Sequence, residues 1–389
     1  MIMILVVFIL SSLVITWMFI GYPIALFMIS RVHPHPIARR PQNLKVTILV
    51  CTFKEASVIE RRIENLLESD YPLDQMEILI VDSASPDGTT DLVEKFCTAH
   101  PLAPIQLIRE DIRRGKVSAI NIGLSLAQGE IIILTDAPAI FWPDSIRLVV
   151  ENFSDSSVGA VTGNFVDYPN GVETSAQKDD QLMFRFRKIL RHLESEVDST
   201  PWLSGELLAF RKSLLPIIPS DVVIDDIYIA LWIRSQRYRV IADSRAKYAE
   251  RRSRTYKEMI IQKVKSVTAD IIELRRFRNL CFNYRYGIYG WLIFPTKLIL
   301  ILHFSPIFFA LAFCSGILLT AIWIGMQNFF ILTGFLGILV IGSSFYHKGK
   351  LLRPLIAFIL AEWIITKGLI TYVKGGYSPA WEQVRSTRE

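Results

Sequence analysis

The chain lacks the glycine-rich loops that cradle phosphates: neither Gly-x-x-x-x-Gly-Lys-Ser/Thr nor Gly-x-Gly-x-x-Gly occurs in its 389 residues. That excludes P-loop chemistry and the usual dinucleotide fingerprint. Cysteine is scarce as well. Cys51, Cys97, Cys281 and Cys314 share no metal or redox spacing, so they read as reduced core residues, not as a zinc or disulfide framework. Most telling is the absence of charge from two long stretches. Met1 to Ser30 and Leu298 to His347 contain no Asp, Glu, Lys or Arg.

A membrane span needs roughly 20 apolar residues. The first stretch therefore holds one helix (1–30) and the second two (298–346), with Gly325 to Asn328 as the turn between them. The N-terminal run has no basic residue before it, no small-x-small site after it, and exceeds the roughly 7–15 residues of a signal h-region, so it reads as an anchor. Arg31, Arg39, Arg40 and Lys45 follow it in a basic linker (31–45), and Lys297 and Lys348 flank the C-terminal pair. The positive-inside rule then puts the soluble part in the cytoplasm. The segment 354–373 is apolar but interrupted by Glu362 and Lys367. It fits either a third span or an interfacial helix, and a tail (374–389) follows.

Between these ends the pattern changes. Short β-branched runs at Val46–Cys51, Ile78–Val81, Ile105–Ile108 and Ile131–Leu134 alternate with helical spacing over Ala56–Ser69, Thr90–Ala99 and Val117–Ala127. Continuous apolar strands between helices imply a mostly parallel α/β sheet buried on both faces. Ligands of such sheets sit at the carboxyl ends of strands. There the chain carries Thr52-Phe53-Lys54-Glu55, Asp82-Ser83 and Thr135-Asp136. Three carboxylates at one sheet edge suit a uracil N–H, a ribose diol and a divalent cation.

Six motifs in order carry a resemblance to a known family. They are Thr47 to Glu55, Ile80 to Gly88, Arg114-Gly-Lys116 with Asn121, Leu134-Thr-Asp136, Leu203-Ser-Gly205 with Ala209 to Lys212, and Ile224-Asp-Asp226. Together they resemble the inverting family-2 glycosyltransferases of GT-A fold, of the membrane type that includes cellulose, hyaluronan and poly-GlcNAc synthases. The resemblance covers about Val46 to Ser266. It implies a GT-A domain over 46–245, followed by basic amphipathic helices over 246–297.

It also implies roles. Thr52, Phe53, Glu55 and Asp82 would bind the nucleoside of a UDP-sugar, although Asp82 and Asp87 also fit an ordinary strand-to-helix turn. Lys116 would meet the donor, because a cation at a helix start needs an anionic partner. Asp136 would hold Mg²⁺ or Mn²⁺. The family's second metal aspartate is replaced by Pro138, so donor phosphates and water must complete the shell. Asp226 would be the catalytic base and Asp225 its like-charged neighbour; a plain helix N-terminal pair is the alternative. Gly205 and Glu206 would face the acceptor. Gln262 and Lys265 stand where the family has Gln-x-x-Arg-Trp, with Lys265 for Arg and Ser266 for Trp. Trp381 and Arg385 match a Trp-x-x-Arg element with one extra residue.

Arg251 to Arg278 carries nine basic residues against three acidic. Its position between an enzyme domain and the membrane favours anionic headgroups over nucleic acid as partner. The function implied is transfer of a sugar from a UDP-sugar onto a growing polysaccharide. A non-processive enzyme acting on a lipid or lipid-linked acceptor is the alternative, and a donor-binding scaffold subunit is a reading of another class.

Overall fold

The computed structural model describes residues 1–166, 175–251, 255–325 and 353–375. Eight strands form one sheet: β1 (Val46–Thr52), β2 (Met76–Asp82), β3 (Ile105–Arg109), β4 (Ile131–Asp136), β5 (Ile140–Phe141), β6 (Val158–Phe165), β7 (Leu208–Arg211) and β8 (Arg239–Ala249). Their spatial order is β3-β2-β1-β4-β7-β6-β8-β5. The first four are parallel, as the crossover helices between them require.

The second half of the sheet is mixed where the first is parallel, although β6 and β8 still pair in parallel. β7 runs antiparallel between β4 and β6, and β5 antiparallel to β8. The reversal has a positional consequence. Leu208, at the start of β7, pairs with Leu134 near the end of β4. The segment entering β7 therefore arrives beside Asp136, where a parallel strand would have delivered its exit.

Alternate residues of each strand feed two cores. Ile48, Val50, Ile78 and Ile80 pack on one face with Ile59 and Ile63 of the Ile59–Leu67 helix. Leu49, Leu79 and Leu134 belong to the other, which extends without a break into Met18, Tyr22 and Leu26 and into Ile293, Phe294 and Leu298. Both faces are apolar because both are covered. Gly123 permits the close approach of the Lys116–Leu126 helix, since a Cβ there would stand 2.3 Å from Leu49 Cδ1.

Three helices among the described residues are long and apolar enough to cross a membrane: Ile2–Val32, Tyr289–Ile324 and Ile356–Val373. The second begins nine residues before the charge-free stretch, so Lys297 lies inside it. Lys297 is no headgroup-facing flank; it is 3% exposed and ion-paired at 2.9 Å to Glu194, itself 0% exposed. Tyr22 donates to the same carboxylate at 2.9 Å. Both apolar helices are thus pinned to the α/β domain through one buried acid. Glu362 accepts from Ser305 at 2.9 Å, so its polar end is bonded within the helix bundle. The second helix of the expected C-terminal pair, together with Lys348, falls outside the described residues.

Candidate functional site

β1, β2 and β4 end side by side, with Thr52 opposite Asp82 and Cys51 opposite Asp136. Lys54 and Ala84 follow the first two strands with φ of 58° and 56°. Left-handed backbone at non-glycine residues is costly and gathers where a loop must serve a ligand. Over these strand ends opens a cavity of about 430 Å³.

Lys116 is the centre of its charge. Gly115, with φ of 94°, turns the chain into the helix that Lys116 begins. The ammonium lies 2.9 Å from Asp136 Oδ1 and 3.2 Å from Asp225 Oδ2, the second contact an ion pair without hydrogen-bond geometry. Burial works against its charge, but Asp136 and then Asp225 outweigh it and hold Lys116 well above the ordinary lysine range. Lys116 thus bridges two motifs that are 89 positions apart in the chain.

Asp225 and Asp226 open the Asp225–Ser235 helix. Asp226 Oδ1 accepts from the Ile227 backbone N–H at 2.6 Å. Burial, then the charges of Asp225 and Asp270, raise the Asp226 carboxyl well above the usual carboxylate range. A carboxylate so placed is a stronger proton acceptor than a free one. Gly205 marks the convergence point. A Cβ built on it would stand 3.8 Å from Lys116 Nζ and 4.0 Å from both Asp136 Oδ2 and Asp226 Oδ2. The empty glycine surface leaves that space to a ligand. Glu206 beside it is raised above its ordinary value by burial and by Asp136.

Of the residues expected from the sequence, Thr52, Phe53, Glu55, Lys116, Asp136, Gly205, Glu206, Asp225, Asp226 and Gln262 line this one cavity. Asp82 does not. It is 1% exposed, and its carboxylate accepts from the Thr52 hydroxyl at 2.9 Å and from Ser85 N and Oγ at 2.8 and 2.6 Å. Asp87 is likewise bonded to Thr89 and Ala56. Both aspartates thus build the turn, and Ser83 reaches the cavity in place of Asp82. Lys265 is also absent from the wall. On the Tyr256–Arg276 helix the cavity face is Gln262, Lys263, Ser266, Val267 and Asp270, and a helical period turns position 265 away from it. Trp381 and Arg385 lie outside the described residues. The sequence reading missed Arg113, whose guanidinium covers the Phe53 ring at 3.8 Å, and Asp270. Arg113 stands one residue before a motif already singled out. For Asp270 the only signal was its i+4 spacing from Ser266.

Among the described residues no three His, Cys, Asp or Glu side chains form a metal-binding group. Asp136 Oδ1 is engaged by Lys116, while Oδ2 faces the open space at Gly205. The donor set fits a divalent cation that takes one protein oxygen and completes its shell from phosphates and water, as Mg²⁺ does.

Residues 47–215 match the model of the glycosyl transferase family 2. That stretch is similar to family-2 glycosyltransferases, and the fold around it is GT-A-like. The chain is 24% identical over 208 residues to the poly-β-1,6-N-acetyl-D-glucosamine synthase of Staphylococcus epidermidis, covering 52% of this chain and 48% of that protein. It is 29% identical over 138 residues to glycosyltransferase AglE of Haloferax volcanii, covering 35% and 44%. The chain thus spans about half the length of the curated relatives it matches. A structural likeness covers far more: the mannosyltransferase from Pyrobaculum calidifontis in complex with GDP-Man and Mn²⁺ superposes with a TM-score of 0.68 at 25% identity, over 94% of this chain and 99% of that one.

Proposed function

We propose that the chain transfers a sugar, with inversion, from a nucleoside-diphosphate sugar to an acceptor that carries an apolar tail. The observation behind this is the reach of the cavity. Its lining joins Lys116, Asp136 and Asp226 to Leu302, Ala357, Leu360, Ala361, Ile364 and Ile365 of the apolar helices. Such a wall favours a lipid-linked acceptor, which buries its chain there at about 0.8 kcal/mol per CH₂, over a hydroxyl-rich polysaccharide. Arg187 and Lys263 line the cavity too. They suit an anionic linkage between tail and sugar. Ser266, small where related synthases carry Trp, leaves room beside them.

In the reaction the acceptor hydroxyl attacks the anomeric carbon from the face opposite the diphosphate, and Asp226 takes its proton. The bond to the diphosphate breaks, and Lys116 meets the charge that develops on the departing oxygen. A divalent cation on Asp136 would add charge neutralisation at the same phosphates. Arg113 over Phe53 offers a flat cationic surface beside Thr52 for the nucleoside. The donor is a UDP-sugar by sequence resemblance. GDP-mannose is the competing donor, since the mannosyltransferase that superposes over nearly the whole chain holds it. The basic flanks of the first helix support a cytoplasmic catalytic domain, and the basic Tyr256–Arg276 region supports contact with anionic headgroups.

Purified protein in anionic-lipid nanodiscs, given radiolabelled UDP- and GDP-sugars with Mg²⁺ or Mn²⁺, tests the proposal. The expected product partitions into organic solvent, and Asp226→Asn abolishes it. A long water-soluble polymer would overturn the lipid acceptor in favour of polysaccharide synthesis. Nucleotide release indifferent to Asp226→Asn would leave only a donor-binding scaffold.

A further inference from the structure

Arg62 lies on the buried face of the Ile59–Leu67 helix, between Ile59 and Leu66, and is 1% exposed. No carboxylate stands within ion-pair distance of it among the described residues. Its contacts are neutral: Nη2 donates to Thr135 Oγ1 at 2.7 Å, and Nη1 to Ala139 O at 3.0 Å and Asn65 Oδ1 at 2.9 Å. The guanidinium also covers the Phe141 ring at 4.1 Å. Its Nε has no partner. Burial draws the group down to about 9, which leaves it charged at neutral pH.

A buried charge without a counter-charge is costly, and an apolar side chain of similar volume packs there more cheaply. What Arg62 touches explains its presence. Thr135 precedes Asp136, and its hydroxyl, while accepting from Arg62, donates to the Glu206 backbone carbonyl at 2.6 Å. Ala139 and Phe141 close the turn after Asp136. Asn65, held by Arg62, brackets that turn by bonding Phe141 N and O at 2.8 and 2.9 Å. Arg62 thus grips the two backbone segments that present Asp136 and Glu206 to the cavity. Its charge lies behind Asp136, and that of Lys116 lies in front.

We infer that Arg62 is the positioning residue of the donor end: it fixes the Asp136 turn against the Glu206 segment, and its buried charge is completed by the diphosphate of a bound donor. The second half rests on the functional reading above. The guanidinium lies behind Thr135 and outside the cavity wall, a fixed positive charge that acts on the donor end through the Asp136 turn and needs no reorganisation on binding. It also bears on Pro138. The turn lacks the second acid that would hold a cation, and a buried guanidinium supplies positive charge from the protein side.

The test is titration of nucleoside mono- and diphosphates (UMP, UDP, GMP, GDP) with the full-length protein in nanodiscs. Wild type is compared with Arg62→Met, which keeps volume but not charge, and Arg62→Lys, which keeps charge but not the fork. Arg62→Met is expected to lose about tenfold in diphosphate affinity and about threefold or less in monophosphate affinity. Arg62→Lys should retain the diphosphate preference and lose kcat as the turn loosens. Should Arg62→Met fail to fold, the preference in Arg62→Lys decides. Equal loss for both ligands, no loss in Arg62→Met, or loss of the preference in Arg62→Lys overturns the role of Arg62. A wild-type chain that binds neither UDP nor GDP overturns the donor reading itself.

Discussion

Asp270 offers the sharpest test of the site's electrostatics. It lies on the cavity face of the Tyr256–Arg276 helix, where burial, opposed by Arg187 and reinforced by Glu273, holds its carboxyl at about 7. An acid raised in the folded state binds more protons there than in the unfolded chain. The wild type therefore loses stability as pH rises from the unfolded value near 4 to the folded value near 7. A shift of about three units corresponds to an upper bound of about 4 kcal/mol, and water in the cavity reduces this to about 1–2 kcal/mol. Asp270→Asn removes the penalty. The variant should match the wild type at pH 4.5 and exceed it at pH 8, by roughly 1–3 °C in thermal unfolding in detergent. Asp270 also repels charge on Asp226, so the acid limb of the kcat/KM profile should move to lower pH in the variant. An Asp270→Asn protein no more stable than wild type at pH 8, with an unmoved acid limb, would refute the account.

Replacing the base by Asp226→Asn should lower transfer by about 10²- to 10⁴-fold while nucleotide Kd, read by calorimetry, stays within about threefold. Lys116→Met removes the ammonium between Asp136 and Asp225; diphosphate affinity should fall by roughly 10-fold or more, far beyond the change for a monophosphate. Gly205→Val would push methyl groups towards Lys116, Asp136 and Asp226; loss of transfer with an unchanged melting curve is expected, and retained activity would move the reaction away from that point. Ser266→Trp should raise the acceptor KM with little change in donor Kd, as steady-state kinetics with a lipid acceptor will reveal.

Much of the fold was legible because local pattern carries it. The alternation of β-branched runs with helical spacing located β1 to β4 and their crossover helices, and the polar residues that end those strands pointed to the sheet edge where the cavity opens. Charge-free stretches as long as a bilayer is thick located apolar helices at both ends. The resemblance of six motifs in order, more than residue type, suggested metal ligand, base and donor contact for Asp136, Asp226 and Lys116. Pairings between distant segments were not legible. The antiparallel entry of β7, which brings Gly205 and Glu206 beside Asp136, depends on a return path through the Ser175–Val197 helix that no local period encodes. The choice of Lys263 over Lys265 for the cavity wall follows from the rotational setting of an amphipathic helix packed on another, and its apolar spacing is too loose to fix that setting. In sequence Asp82 fits a turn aspartate and a binding aspartate alike; only the tertiary structure shows the three hydrogen bonds that tie it into the turn. Arg62 was invisible for a related reason. One more charge in Glu-Arg-Arg-Ile reads as helix surface, and tertiary packing alone decided which of the two arginines is buried behind the site.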